Sequence, residues 1–242
     1  LRLRGTNPKG TATDFDNYSN ITFTKNVNVA CTGDIRTLLN WKYYDTVDTQ
    51  NARFCSLFMY CSVLTSAPEL PATELAYYCY FGMFLGCTNL TSAPELPATT
   101  LADNCYSNMF KKCTSLTDAP ELPATTLTNN CYQSMFYGCT NLTSAPKLPA
   151  AKLVADCYNS MFYGCTKLST VTILTPSDEI TKHNSFHQWL ENAGTDGSIT
   201  RTLKVQDEDA YNALVTTGDL PEIWKKGATN TTVLNKDNGK IE

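Results

Sequence analysis

Cysteine is the residue type whose number and spacing in this chain most suggest a chemical role. The 242-residue sequence contains eleven cysteines, and pairs such as Cys105 with Cys113 and Cys131 with Cys139 lie eight residues apart. In an exported protein such pairs can be disulfides. Cysteine is also among the most buried residue types, and these positions recur in step with leucine and phenylalanine, so we predict buried free thiols. We predict no metal site, because zinc ligands must converge on one point, whereas these cysteines are spread along the repeats.

Two other groups of residues have side chains of the types that bind metals or act in catalysis. His183, His187 and Glu191 are spaced four apart, which on a helix would align three ligands, but the glutamate that follows the first histidine in zinc proteases is missing. The acidic run 207–209 resembles a glycosidase pair, yet it stands at a helix start, where acids favour the helix dipole. No nucleophile or phosphate-loop pattern appears, and we predict no enzymatic activity and no cofactor.

The cysteines belong to a repeat of 26 residues. Shifting the sequence against itself by this period superposes columns of identical residues. The clearest columns are Cys61, Cys87, Cys113, Cys139 and Cys165; Cys79, Cys105, Cys131 and Cys157; Phe84, Phe110, Phe136 and Phe162; and Pro68, Pro94, Pro120 and Pro146. A unit of this size cannot bury its apolar face alone, so neighbouring units must stack to form a core. The repeat therefore predicts an α/β solenoid.

Each unit is predicted to hold one short strand and one short helix. Leu101, Cys105 and Met109 are spaced like one face of a helix, and the cation of Lys111 suits its C-terminus. The stretch that follows has room for only a short extended segment, because Pro120 has no amide hydrogen to donate to a strand ladder.

The chain divides into three predicted segments, at residues 1–48, 49–174 and 175–242. In the first, apolar residues alternate with polar ones across 21–31 around a turn at Lys25, which predicts a β-rich N-terminal cap. The second contains the repeats.

The third segment loses the 26-residue period. Its pattern predicts a helix at 184–193, a strand at 198–205 and a second helix at 207–217, which together would form an α+β C-terminal cap. The polar stretch 229–242 is predicted to be a loose tail or mobile hairpin.

Composition limits the classes of partner. The formal net charge is -4, so the chain has no cationic surplus to neutralise phosphates, and we predict no nucleic-acid partner. No stretch approaches the roughly 18 consecutive apolar residues that a transmembrane helix requires. The N-terminus lacks the apolar core of a signal peptide, so we expect any export signal or lipid-anchored cysteine upstream of residue 1.

Two motifs carry a family resemblance. The sequences C-Y-x-x-M-F-x-x-C-T-x-L and A-P-E-L-P-A-T-T-L resemble the BspA-like subclass of leucine-rich repeats in surface proteins of Bacteroides-type bacteria, over roughly residues 54–174. The resemblance implies a right-handed leucine-rich-repeat solenoid, a secreted or outer-membrane location and a role in cell adhesion, with no catalytic residues to carry over. A unit of 26 residues with two prolines is longer than the family's commoner units.

Candidate binding residues lie on two surfaces. The first is a row of polar residues beside the predicted strands, and its candidates are Thr91, Ser92, Glu95, Thr117, Asp118 and Glu121. The row either binds a partner along the strand side of the repeats or only keeps that surface soluble. The second is an aromatic cluster of Tyr77, Tyr78 and Phe81, which either contacts a sugar or protein or packs against the N-terminal cap.

The sequence therefore predicts a non-catalytic cell-surface interaction protein that binds a host or bacterial surface protein or glycan. One alternative is a glycan-binding accessory protein of an outer-membrane nutrient-uptake system, in which exposed tyrosines would stack on sugars. Another is a structural spacer.

Overall fold

The structure, a computed structural model, describes residues 4–242, and its regular elements are short. They are β1 (Val29–Ala30), a 3-10 helix (Ile35–Leu38), β2 (Leu64–Ser66), β3 (Ser144–Leu148), β4 (Thr170–Ile173), α1 (Ser177–Ile180), β5 (Arg201–Lys204), α2 (Glu208–Thr217), a 3-10 helix (Glu222–Trp224) and β6 (Thr231–Leu234). None of the helices among these residues combines the length and apolarity needed to cross a membrane.

All paired strands run parallel. β1 pairs with β2, and β3, β4, β5 and β6 form a four-stranded sheet in that order. The units between β2 and β3 contribute only single parallel bridges, such as Ser66 to Ser92 and Asp118 to Ser144, so the prediction of one strand in every unit is wrong. Prolines remove amide donors from these segments, whereas β4 contains no proline and forms a continuous ladder.

The prediction of one helix per unit is also wrong. Residues 103–112 and the equivalent segments are runs of consecutive tight turns, and no helix lies between residues 49 and 174. Along each run, alternate backbone amides donate within the run and to the next unit. The Met109 amide donates to the Tyr106 carbonyl at 3.1 Å, and the Phe110 amide donates to the Met135 carbonyl at 2.9 Å. A helix would use all these amides internally and leave none to join the units.

Left-handed backbone at every fourth residue maintains the turn runs. Asn104, Asn108 and Lys112 have φ values of 58°, 58° and 62°, and the next unit places Ser134 and Gly138 in the same conformation. Asparagine and glycine tolerate positive φ better than other residues do. Because the turns recur every four residues, they produce the same apolar spacing as one face of a helix, which explains the wrong prediction.

Stacked columns of identical side chains form the core. The rings of Phe84, Phe110, Phe136 and Phe162 lie 5.6 or 5.7 Å apart between centroids and are nearly parallel. A second column of buried rings contains Tyr80, Tyr106, Tyr132 and Tyr158. Each inner ring of a column, such as Phe110 or Tyr132, therefore stacks on its equivalents in the units on either side.

The N-terminal segment is not β-rich, contrary to the prediction. Its regular structure in the described residues 4–48 is the two-residue β1 and one 3-10 helix, with loops elsewhere. Ile21 and Phe23 pack partly against the core as the alternation suggested, but Val27 is 63% exposed. Alternation over so short a segment does not supply a partner strand, and β1 pairs only with β2.

The C-terminal segment contains both helices and strands, as predicted. α2 begins after Asp207, whose side chain accepts a hydrogen bond from the Ala210 amide, and it is followed by Gly218 in left-handed conformation. β5 lies within the predicted strand. The predicted tail instead includes β6, which pairs with β5, and it buries Val233 and Ile241.

The predicted helix at 184–193 is a further turn run. It makes the same backbone hydrogen bonds as the earlier turn runs, but donor and acceptor are 27 residues apart here and 25 apart in the earlier units. The Phe162 amide donates to the Trp189 carbonyl at 2.9 Å, and the Gly164 amide donates to the Glu191 carbonyl at 2.8 Å. Strand pairing and turn-to-turn hydrogen bonds thus continue across residue 174.

Candidate functional site

The threonine column beside the strands is tied into the backbone of neighbouring units. The Thr91 hydroxyl donates to the Thr65 carbonyl at 3.4 Å, and the Thr143 hydroxyl donates to the Thr117 carbonyl at 3.3 Å. The Thr117 hydroxyl donates instead to the Asp118 carboxylate at 2.8 Å. Since a hydroxyl has one proton, the predicted binding residues Thr91 and Thr117 retain only acceptor lone pairs for a partner.

The other predicted residues of this row are open to solvent. Ser92, Glu95, Asp118 and Glu121 are all exposed. Ser92 and Asp118 lie at the single parallel bridges between units, so the row follows the strand edge of successive units. Glu95 and Glu121 occupy the same position one period apart, which makes this part of the row acidic.

The aromatic cluster gains a fourth ring from the N-terminal segment. Phe15 lies 5.1 Å from Tyr78 and 6.3 Å from Phe81 between ring centroids, while Tyr77 and Tyr78 are 4.1 Å apart in an edge-on arrangement. The hydrogen bond with Tyr77, with burial as a smaller cause, raises the pKa of Tyr78 to about 12. Tyr77 is 47% exposed, whereas Tyr78 and Phe81 are partly covered. The cluster therefore offers a partner chiefly Tyr77 and Phe15.

All eleven cysteines are free thiols, and ten of them are buried. In the longer column four of the five thiols donate to a backbone carbonyl, as Cys113 does to the Phe84 carbonyl at 3.1 Å and Cys139 to the Phe110 carbonyl at 3.0 Å. Burial raises the pKa of Cys87 and Cys139 to about 12. The cysteine side chain is small enough for the stack and still supplies a weak donor, which accounts for the column structurally.

We expect the native protein to react with Ellman's reagent at no more than one thiol, because burial holds the other ten in the unreactive protonated form. Cys31 is the partly exposed exception. Titration in concentrated guanidinium chloride without reductant should then reveal all eleven thiols. Fewer than eleven in the unfolded chain would mean that disulfides are present and that the thiol prediction is wrong.

The histidines do not share a helix face. His183 and His187 lie on the turn run at 183–194, and the His187 Nδ1 is 3.4 Å from the Asp219 carboxylate of the segment after α2. Within residues 4–242 no group of three His, Cys, Asp or Glu side chains is placed to hold a metal ion. In the acidic run at 207–209, the Asp207 carboxylate caps α2.

A cavity that the sequence did not predict lies at the N-terminal end of the stacked units. It has a volume of about 480 Å³, and its walls include Ile21, Phe23 and Phe58, with Trp41 and Tyr44 also lining it. Trp41 and Tyr44 are 46% and 40% exposed, and their positions follow no repeat. The volume falls in the range of small-molecule sites, about 300–1,000 Å³.

No family model, curated protein or solved structure matches the chain.

Proposed function

We propose that the protein is a non-catalytic cell-surface interaction protein, built as a right-handed solenoid of BspA-like leucine-rich repeats and used in adhesion to a protein or glycan. In this proposal the chain is secreted or held at the outer membrane. The motifs at 54–174 support the family, and the contacts between residues 26 apart support the stacked arrangement.

The observation that carries the proposal is the exposed polar row along the strand edge. Ser92, Glu95, Asp118 and Glu121 are exposed and lie in units that backbone hydrogen bonds join through their turn runs, so the spacing between the units is set before a partner arrives. A preorganised row loses little conformational freedom on binding, which favours affinity. Repeat proteins commonly bind along such extended surfaces.

A test of this proposal uses the labelled protein on an array of glycans and extracellular-matrix proteins. We expect saturable binding to at least one component, weakened about tenfold or more in the triple variant Glu95→Gln, Asp118→Asn and Glu121→Gln, because one or two lost charge-assisted hydrogen bonds are worth that much. These carboxylates are exposed, so thermal unfolding should not change.

The matched control is Glu191→Gln, Glu208→Gln and Glu222→Gln, which removes the same charge from exposed positions outside the row. Equal weakening in both triple variants would indicate a net-charge effect and would count against the strand edge. Absence of binding to every component would overturn adhesion and favour a structural spacer.

The aromatic cluster supports a second candidate, a glycan-binding accessory protein of a nutrient-uptake system. Tyr77 is 47% exposed and Phe15, which packs on Tyr78, is 43% exposed, so the cluster presents aromatic surface to solvent, as a sugar-stacking site requires. The variant Tyr77→Ala, on the same array, distinguishes the candidates. Loss of binding to a single glycan class in Tyr77→Ala, with the carboxylate variant unaffected, would favour the accessory protein.

A further inference from the structure

The polar row changes sign along the strand edge. Glu69, Glu95 and Glu121 occupy one position in successive units, and Lys147 replaces the acid in the next. All four side chains are exposed. The edge is therefore acidic through three units and becomes basic where β3 begins the four-stranded sheet.

The sheet brings a second lysine, Lys204, into the same row as Lys147. Lys147 pairs with Thr172 of β4, and Thr172 pairs with Lys204 of β5, so the three residues share one row across three strands. In-register residues of a parallel sheet point to the same face. The neighbouring residues Leu148, Ile173 and Leu203 are buried, which puts the row itself on the solvent side.

Lys236 completes the group from beyond β6. Lys236 lies two residues after Leu234, which pairs with Lys204. Because side chains two residues apart on a strand point to the same face, Lys236 lies on the same face as Lys204, one row further along. Lys147, Lys204 and Lys236 line a common cleft of about 260 Å³ together with Thr172 and Leu174. No acidic residue is among the residues that form its wall.

Across residues 4–242, none of the three lysines of this cleft has an ion-pair partner within 4.0 Å, although Lys236 also lines a neighbouring pocket with Asp207, Glu208 and Asp237. The Lys204 ammonium donates at 2.7 Å to the side-chain oxygen of Asn238, which is neutral. Three cations sharing one cleft repel each other, and an anion bound between them would remove that repulsion. Their clustering is notable because the whole chain has a net charge of -4.

We propose that the Lys147, Lys204 and Lys236 cleft binds the sulfate or carboxylate group of an acidic glycan. The inference rests on the proposed function, since it names the ligand chemistry for one end of the same strand edge. Ammonium groups form strong charge-assisted hydrogen bonds with oxyanions. The Thr172 hydroxyl can bond a neighbouring sugar hydroxyl, and Leu174 offers an apolar contact for the ring.

The neighbouring acids favour a glycan over a nucleic acid. A nucleic acid needs a basic surface that follows many phosphates, whereas this cleft is short and Glu121 lies one unit away from Lys147. A continuous polyphosphate would meet that carboxylate. A glycan with separated anionic groups can put one group in the cleft and its hydroxyls against Glu121 and Asp118, which accept hydrogen bonds.

The test measures binding of the full chain to immobilised dextran sulfate, polygalacturonate and unmodified dextran by biolayer interferometry. We expect saturable binding to one or both anionic polymers and none to unmodified dextran. The sulfate and carboxylate arms identify which oxyanion is preferred. In Lys147→Gln/Lys204→Gln we expect the affinity to fall about tenfold or more, because two charge-assisted contacts are lost.

The matched control, Lys112→Gln/Lys152→Gln, removes two exposed lysines outside the cleft and should bind like the unaltered chain. Equal loss in both double variants, or no binding to either anionic polymer, overturns the inference. So does binding of a duplex oligonucleotide as tight as that of the polymers and lost in the same cleft variant.

The array experiment separates this inference from the proposed function. Array binding that is weakened by the carboxylate variant but unchanged in Lys147→Gln/Lys204→Gln would leave the strand-edge function standing and would overturn the anionic-glycan site.

Discussion

Removing half of one repeat should prevent folding, while removing a whole repeat should not. Deletion of residues 101–126 joins Thr100 to Leu127, which takes the place of Leu101, and every buried column keeps its register. Deletion of 101–113 removes one turn run but keeps the extended segment that follows it. Two extended segments are then joined directly, without the turn run that connects them in every other unit. In a stacked repeat each unit contacts only its neighbours, and a shorter array remains a complete one.

Circular dichroism and thermal unfolding check this prediction. The whole-unit variant should keep a cooperative transition and should titrate nine thiols when unfolded, eleven less Cys105 and Cys113. The half-unit variant should lack a cooperative transition. If both variants show a cooperative unfolding transition, or if neither does, the proposed solenoid is wrong.

Replacing Phe110 by alanine should have the largest effect of any single substitution predicted here. Phe110 is fully buried, and its ring lies 5.6 Å from those of Phe84 and Phe136. Truncation leaves a cavity between two flat rings that the backbone bonds between units prevent from closing. Loss of a buried phenylalanine costs about 3–5 kcal/mol, and we expect the free energy of unfolding to fall by that amount.

Guanidinium unfolding at equilibrium measures this change. The control is Tyr43→Ala, in which an aromatic ring that is 55% exposed is removed from the N-terminal segment, and it should cost less than about 0.5 kcal/mol. A loss below about 1 kcal/mol for Phe110→Ala would show that the phenylalanine column does not carry the core.

The buried columns were predictable from the sequence because they depend on periodicity alone. Residues that recur every 26 positions with apolar or thiol side chains must meet once the units stack, whatever the backbone between them does. The same reasoning gave free thiols, since cysteines in step with phenylalanine and leucine share the core with them.

The turn runs were not predicted because local spacing is ambiguous. Leu101, Cys105 and Met109 are four residues apart, which suits both a helix face and a series of four-residue turns. The signal that separates them is Asn104 and Asn108, with Ser134 and Gly138 in the next unit, at the positions that need positive φ. Contact with the next unit decides the outcome, because it supplies the acceptors for alternate amides.

By itself, the sequence determined the period, the buried columns and the exposed polar row, since each follows from residue type and spacing. Only the tertiary structure decided which polar groups are already hydrogen-bonded within the protein and which residues distant in sequence come into contact. Phe15 joins Tyr78 through the path of a loop, and Lys147, Lys204 and Lys236 meet through strand register. The intervals between those lysines are not multiples of the period, so no self-comparison of the sequence could bring them together.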